Sequence, residues 1–205
     1  MTGMGFRFSD ALITLARGSI LPLLILTMIA SLVLGLPLPP VTCYLILAVL
    51  VAPALIKMGI HPMAAHLFVF FFGTLGNISP PVAPTSFAAA GVADTDPMRT
   101  TNLAFLFSFP SFLIPYLSVY RTELLLMGSA SAILLRILPS FIGISCMAIA
   151  FQGHLLQNLK WMERGIFLIA GMLLVYPHWI ADVAGYVLIG LLMARQLLGH
   201  RIQNA

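Results

Sequence analysis

Long apolar stretches separated by short charged segments dominate the pattern of this chain. Formal charges are absent from residues 18–56, 58–93, 100–120, 137–159 and 165–181. A helix needs about 20 predominantly apolar residues to cross the hydrocarbon core of a bilayer. The pattern therefore predicts an all-α integral membrane protein in which the charged residues mark the ends of the membrane segments.

The first 36 residues predict a short helix followed by the first transmembrane helix. Ser9 and Asp10 are suitable N-caps for an amphipathic helix that reaches about Arg17 at the membrane interface. Residues 18–36 then form a complete apolar span. Residues 1–17 lack the short apolar core and cleavage site of a secretory signal, so no signal peptide is predicted.

Three prolines in four positions interrupt the longest charge-free stretch. The sequence there is Gly35-Leu36-Pro37-Leu38-Pro39-Pro40. Proline lacks a backbone donor and disfavours helix at the residue before it, so the first helix must end here. An apolar helix resumes over 41–56 and ends at Lys57, with no charged loop between the two pieces.

A second break is predicted at Gly76-Asn77-Ile78-Ser79-Pro80-Pro81. The limbs 64–73 and 82–92 are each too short to cross a bilayer alone, which favours a re-entrant helical hairpin. Unwound backbone at membrane depth needs protein or water to satisfy its polar groups. Two breaks so close together favour a polar cavity of the kind found in secondary transporters, and two proline kinks in an ordinary helical bundle are the structural alternative.

The rest of the chain predicts four more helices. Residues 93–101 are expected to form an aqueous loop, and Trp161 and Trp179 are expected to anchor helices at the interface. The expected helical segments are 102–120, kinked at Pro110 and Pro115, one span within 124–152, and shorter helices over 165–176 and 180–194.

Candidate binding groups concentrate at the two breaks. Carbonyls freed at a helix break can coordinate a cation, and helix N-termini attract anionic substrate groups. Asn77 and Ser79 add side-chain oxygens, and Thr42 adds a hydroxyl just after the first break. The candidate substrate- and ion-binding residues are Gly35, Pro39, Thr42, Asn77, Ile78, Ser79, Pro80 and Pro81.

Composition excludes several other functions. Of the 205 residues 60% are hydrophobic and 8% are charged, so membrane lipid is the expected surrounding. The net charge of +4 comes from basic residues scattered at segment ends, which is typical of membrane loops and not of nucleic-acid binding. No hydrolase, nucleotide-binding or metalloprotease motif is present in the sequence, so no enzyme and no cofactor are predicted.

Structural roles are expected for most of the remaining residues that could bind a metal or transfer a proton. Cys43 and Cys146 are expected to be small packing residues. His61 and His66 have the wrong spacing to share one helical face and no neighbouring acid or thiol, so a turn residue and a packed histidine are expected, and no metal site. Asp182 is either a proton-relay group or, more simply, a helix cap or interface residue.

Several short motifs of residues 1–123 occur together in one known family. The motifs are Ser31-Leu-Val-Leu-Gly35, Leu38-Pro39, Val51-Ala-Pro-Ala-Leu55, Pro62-Met-Ala-Ala-His66, Ile78-Ser79-Pro80-Pro81-Val82 and Asp96-Pro97-Met98-Arg99-Thr100. Together they resemble the large permease subunit of tripartite ATP-independent periplasmic (TRAP) transporters, the DctM-like subunit, and most closely the type in which the small and large membrane subunits are fused. The resemblance extends over 1–123, and residues 124–196 resemble the family's less distinctive C-terminal helices.

This resemblance implies a sodium-driven, elevator-type importer of organic acids such as C4-dicarboxylates in the bacterial inner membrane. It further implies that a periplasmic substrate-binding protein delivers the substrate. Ile78 to Pro81 would form the tip of the second re-entrant hairpin, and sodium would be bound through Gly35, Asn77 and Ser79.

Two departures from the family pattern bear on activity. The family motif Gly-Met-Gly-Leu-Pro-Thr-Thr is replaced here by Gly35 to Val41, so the second glycine and both threonines are missing. Nothing in the chain corresponds to the earlier inverted-repeat half of a permease, so it is expected to represent the C-terminal portion, with the N-terminal half on a separate chain. A truncated, non-transporting membrane remnant is the alternative.

Overall fold

The computed structural model describes residues 4–176 and 178–203, and this part of the chain is helical throughout apart from its turns and loops. The all-α prediction is therefore confirmed. The helices are α1 Met4–Leu15, α2 Ile20–Gly35, α3 Pro40–Leu50, α4 Ala52–Lys57, α5 Pro62–Leu75, α6 Pro84–Ala93, α7 Pro97–Ser108, α8 Leu113–Tyr120, α9 Ala130–Gln152, α10 Trp161–Val175 and α11 Trp179–Gln203.

Proline residues set where several helices begin. Pro40, Pro62 and Pro84 each occupy the first position of a helix, where the missing N–H removes no intrahelical bond. Both predicted breaks are present: α2 ends at Gly35, and a 3-10 turn over Gly76–Ile78 ends α5. The helix predicted over 41–56 is further divided at Val51, two residues before Pro53.

Two compact units make up the fold. Unit 1 comprises the described residues up to 108 together with 112–125, and unit 2 comprises 109–111 and the described residues from 126 onward. The domain division at 123/124, which follows the resemblance, stays a prediction.

Helix α5 is the centre of unit 1, because it packs against α2, α3, α4 and α8. The side chains of Phe68 and Phe72 are fully buried in this core. The rings of both phenylalanines meet Tyr116 of α8 edge to face, with centroids 5.2 Å and 5.8 Å away. The apolar run of α5 therefore forms packing contacts inside the protein as well as a membrane segment.

Unit 2 is built around α10, which packs against both α9 and α11. Gly143 of α9 and Gly171 of α10 bring two backbones into contact: a Cβ atom added to Gly171 would lie 2.6 Å from the carbonyl oxygen of Gly143. The guanidinium group of Arg164 caps the end of α9 by donating to the carbonyl oxygens of Ala150 and Phe151, each at 2.8 Å.

Membrane-spanning length is reached by four helical segments among the described residues. These are Pro40–Lys57, Pro97–Tyr120, Ala130–Gln152 and Trp179–Gln196. The helices Ile20–Gly35 and Pro62–Ile78 are apolar but shorter. Residues 18–36 were predicted as a complete span, and the 16 residues that are helical fall below the usual length. The re-entrant arrangement of 64–92 stays a prediction.

Two local predictions were wrong. Helix α1 begins at Met4, so Ser9 and Asp10 lie inside it and do not cap it. The Ser9 hydroxyl instead donates to the carbonyl oxygen of Leu50 at 2.9 Å, and Asp10 pairs with Lys57 at 2.8 Å. The aqueous loop is also shorter than 93–101, because α7 begins at Pro97 after Asp96 accepts a hydrogen bond from the Arg99 amide.

Candidate functional site

The two helix breaks lie against each other in unit 1. Gly35 ends α2 and faces Gly73 in the last turn of α5 so closely that an added Cβ atom would overlap the Gly73 carbonyl oxygen. A Cβ atom added to Gly76 would lie 2.8 Å from the carbonyl carbon of Gly35 and from the carbonyl oxygen of Leu32. Only glycine tolerates this approach of two backbones. The two breaks are about 40 residues apart in the sequence but are in direct contact in the structure.

A third helix covers this contact. The side chains of Cys43 and Leu47 on α3 lie within 2.9 Å and 2.8 Å of where a Cβ atom of Gly73 would be. Both side chains are fully buried. The packing role predicted for Cys43 is thus confirmed, and the same role holds for Cys146, which is 4% exposed in unit 2.

The polar residues of the second break point into the protein. Asn77 and Ser79 are each 6% exposed. The Ser79 hydroxyl donates to the carbonyl oxygen of Leu75 at 2.7 Å, and its amide donates to the carbonyl oxygen of Gly76 at 3.1 Å. The Asn77 amide reaches the carbonyl oxygen of Gly73 at 3.5 Å. These side chains therefore compensate for helical hydrogen bonds that end at the break.

The other predicted site residues are placed less centrally. Ile78 and Pro80 are half-buried and Pro81 is exposed. Pro39 caps α3 and is exposed, and Thr42 is exposed as well. Helix α3 therefore turns Cys43, and not Thr42, toward Gly73. Of the residues predicted at the first break, only Gly35 is at the glycine contact.

Two buried serines near the breaks were not among the predicted site residues. Ser31 lies one turn before Gly35 on α2 and is fully buried, and Ser86 lies in the first turn of α6 and is 3% exposed. Neither hydroxyl has a hydrogen-bond partner among the described residues. The spacing of four residues between Ser31 and Gly35 places them on one helical face, a signal that the sequence contained.

Helix ends provide the electrostatics of this site, because neither 18–56 nor 58–93 contains a formal charge. Each helix C-terminus carries a partial negative charge of roughly half an electron, and α2 and α5 bring two such ends together. The N-termini of α3 and α6, which follow the breaks, carry partial positive charge. Carbonyl and hydroxyl oxygens of this kind suit a monovalent cation, and helix N-termini suit an anionic group.

Each of the two histidines has one hydrogen-bond partner within unit 1. Nδ1 of His61 accepts a hydrogen bond from the Met63 amide at 3.2 Å at the start of α5, which confirms the predicted turn residue. Nδ1 of His66 lies 3.2 Å from the Tyr44 hydroxyl, as expected for a packed histidine. Among the described residues, no group of three or more His, Cys, Asp or Glu side chains could hold a metal ion.

Asp182 has a partner that neither sequence hypothesis included. It lies in the first turn of α11, and its Oδ2 is 3.5 Å from Nη1 of Arg136 on α9. This ion pair links two helices of unit 2.

The fold and the site define a multi-pass, all-helical membrane protein in which two interrupted helices meet at their ends. Residues 1–133 match the family described as "Tripartite ATP-independent periplasmic transporter, DctM component". The match covers more than half of the chain, and the chain belongs to this family. No curated protein and no solved structure matches it.

Proposed function

We propose that this chain is a membrane component of a TRAP-type secondary transporter that imports organic acids, such as C4-dicarboxylates, by sodium symport. A periplasmic binding protein would deliver the substrate in the bacterial inner membrane. The remaining half of the transport pathway would come from a separate N-terminal permease chain. The observation that carries the proposal is the meeting of the two breaks at Gly35, Gly73 and Gly76.

The chemistry of the meeting point supports a sodium site. Backbone carbonyls at the ends of α2 and α5 offer neutral oxygen ligands, which suit a weakly bound alkali cation. The buried hydroxyls of Ser31 and Ser86 are further oxygen ligands without a partner among the described residues. A buried unpaired hydroxyl is costly, so a bound cation would offset that cost. In this proposal Gly35, Asn77 and Ser79 lie closest to the ion.

The substrate carboxylates would bind at the N-terminus of α6, the helix that follows the second break. Helix α6 begins at Pro84, three residues after the Ile78-Ser79-Pro80-Pro81 turn, and the amides of its first turn have no partner within the helix. The site itself contains no formal charge, so helix dipoles and the bound cation would balance the substrate carboxylates.

The alternative function is a membrane remnant that does not transport. It is favoured by the first break, where Pro37, Pro40 and Val41 replace the glycine and threonines of the family motif. Pro39 and Thr42 are exposed, so this break contributes only Gly35 to the buried contact. In this hypothesis the glycine contact is retained for packing alone.

Sodium-driven uptake distinguishes the two functions. The full chain is reconstituted in proteoliposomes with the binding protein, with and without the N-terminal permease chain, and a panel of labelled organic acids is offered under a sodium gradient. We expect uptake that requires both chains and collapses when the sodium gradient is removed. No uptake in any combination, from protein shown to be folded, would favour the remnant.

A pair of serine variants separates a role in transport from a role in folding. Ser79→Ala should abolish uptake, whereas Ser118→Ala should leave it intact. Ser118 on α8 is equally buried and makes the same type of bond, from its hydroxyl to the carbonyl oxygen four residues earlier at 2.9 Å. Equal uptake by the two variants would contradict a role for Ser79 at the site.

A further inference from the structure

A pocket lined mainly by polar residues lies at one end of unit 2, outside the proposed transport site. Its volume is about 570 Å³, and it is formed between the start of α10 and the part of α11 around Arg195. The lining groups used below are Gln157 from the loop before α10, Lys160 and Glu163 at the start of α10, and Leu191, Arg195 and Gln196 from α11.

The pocket has an excess of positive charge. Glu163 is 5% exposed and already engaged: its Oε2 accepts from the Lys160 amide at 2.8 Å, and its Oε1 lies 3.3 Å from Nε of Arg195. The Lys160 side chain is exposed, and that of Arg195 is 58% exposed. The N-terminus of α10 adds a partial positive charge. These groups favour a ligand with anionic oxygens.

Two glutamine side chains of the pocket, Gln157 and Gln196, have unpaired amide atoms that a ligand could satisfy. Gln196 is 4% exposed, and its Oε1 has no hydrogen-bond partner among the described residues. The same holds for Nε2 of the half-buried Gln157. Buried unpaired amide groups are destabilising, and the terminal amide torsion of glutamine is broad enough to turn these atoms toward a ligand. The pocket thus offers an unused acceptor beside its cationic groups.

The residues around the pocket are of the kinds found at the membrane interface. The charged Arg195 interrupts the apolar sequence of α11, and Lys160 immediately precedes Trp161, which is 85% exposed at the start of α10. Leu191, one turn before the charged end of α11, lines the pocket and is 66% exposed. An apolar helix surface that ends beside an exposed tryptophan and basic residues is typical of the membrane interface.

We propose that this pocket binds the headgroup of a phospholipid that carries both a phosphate and a primary ammonium group. Lys160 and Arg195 bind the phosphate, and Oε1 of Gln196 accepts a hydrogen bond from the ammonium. A headgroup with phosphate alone leaves Gln196 unpaired. A quaternary ammonium has no N–H to donate, so it leaves Gln196 unpaired as well.

Native mass spectrometry of the full chain in detergent tests the proposal. The probes are phosphatidylethanolamine, phosphatidylcholine and phosphatidylmethanol with identical acyl chains, because the methyl ester has a phosphate and no further N–H or O–H donor. We expect the Kd for phosphatidylethanolamine to be about tenfold lower than for either of the others, because only this lipid pairs both groups. Equal retention of the three lipids, or tighter binding of phosphatidylmethanol, would overturn the proposal.

Soluble competitors distinguish a lipid from a free phosphate compound. Glycerophosphoethanolamine and inorganic phosphate should fail to displace the bound lipid at equal concentration, because neither has an acyl chain to lie along the apolar surface of α11. Displacement by either would show that the pocket recognises a soluble phosphate and would contradict the lipid assignment.

Two variants locate the binding groups. Lys160→Ala should weaken phosphatidylethanolamine binding about tenfold, whereas Arg99→Ala, which removes an exposed positive charge in unit 1, should not. Gln196→Leu should remove the preference over phosphatidylcholine while phosphate binding persists. If Gln196→Leu fails to fold, the proposal is still tested by Lys160→Ala and by the comparison of the three lipids on the unchanged protein. Equal binding by Lys160→Ala and Arg99→Ala would place the lipid elsewhere.

Discussion

Each unit of this protein brings two helices into backbone contact through glycines, but the helices around the contacts differ. In unit 2, Gly143 and Gly171 lie inside α9 and α10, which continue past the contact. In unit 1, Gly35 ends α2 and Gly73 lies in the last turn of α5. In unit 2 the backbone carbonyls at the contact stay in the helical ladder, whereas in unit 1 they lie at helix ends, where Asn77 and Ser79 bond some of them.

A close glycine contact is therefore not by itself evidence of a binding site. Small residues let membrane helices approach and gain packing energy, which is sufficient to explain unit 2. In unit 1 the same contact coincides with two helix ends, the buried Asn77 and Ser79, and a neutral surrounding sequence. This combination distinguishes the contact in unit 1 from packing alone, and the variants described next test the difference.

The largest effect is expected from Gly35→Ala. The new methyl group would overlap the carbonyl oxygen of Gly73, so α2 and α5 would have to separate. We expect the free energy of unfolding to fall by about 3 kcal/mol, the upper end for overpacking, and sodium-driven uptake to be lost. Thermal unfolding in detergent and uptake in proteoliposomes measure the two effects.

Gly91→Ala is the matched control for that change. Gly91 lies in α6 of the same unit, and an added Cβ atom would meet nothing within 4 Å. Alanine favours helix over glycine, so this variant should keep uptake and gain a little stability. If Gly35→Ala behaved like Gly91→Ala, the contact between the two breaks would not exist.

Gly171→Ala should destabilise the protein without removing transport. Its added Cβ atom would lie 2.6 Å from the Gly143 carbonyl oxygen and 2.6 Å from the Met147 side chain. The expected cost is about 2 kcal/mol, less than for Gly35→Ala, because the approach to backbone is less close and the Met147 side chain can move. Uptake per folded molecule should be unchanged, and Gly165→Ala, which meets nothing within 4 Å, is the control. Loss of uptake from folded Gly171→Ala would mean that unit 2 contributes to the transport step.

The sequence was sufficient to predict the breaks after Gly35 and after Leu75, but not the one at Val51 and not how the first two breaks meet. Prolines 37, 39 and 40 and the Ser79-Pro80-Pro81 run act locally, so their effect could be predicted without a fold. The approach of Gly35 to Gly73 depends on the crossing of α2 and α5, which residue spacing within one helix does not specify. The exposure of Thr42 has the same cause, since only the packing of α3 decides that Cys43 faces inward.

The predictions for α1 failed for a related reason. Ser9 and Asp10 are good N-caps by local preference, yet both have partners on other segments, Leu50 and Lys57. Those tertiary contacts are compatible with a helix that starts earlier, at Met4. Local propensity is a weak guide where side chains find partners elsewhere in the fold.

Ser86→Ala and Ser140→Ala compare two buried hydroxyls, one from each unit. Both are at most 4% exposed and lack a hydrogen-bond partner among the described residues. Removing either unpaired hydroxyl should raise the free energy of unfolding by about 1 kcal/mol. Only Ser86→Ala should raise the sodium concentration needed for half-maximal uptake. The same sodium dependence for both variants would remove Ser86 from the ion site and leave it a packing residue.

Asp182→Asn should have the smallest effect and tests whether unit 2 contains a proton relay. The ion pair between Asp182 and Arg136 is partly exposed, with 18% and 36% of the side chains accessible, so its loss should cost about 0.5 kcal/mol. Arg136→Gln removes the same pair from the other side and should cost about as much, and the double variant measures their coupling. If both variants keep uptake, Asp182 joins α11 to α9 and has no chemical role. If Asp182→Asn alone abolishes uptake while Arg136→Gln retains it, the carboxylate transfers a proton, and the assignment of transport to unit 1 alone is wrong.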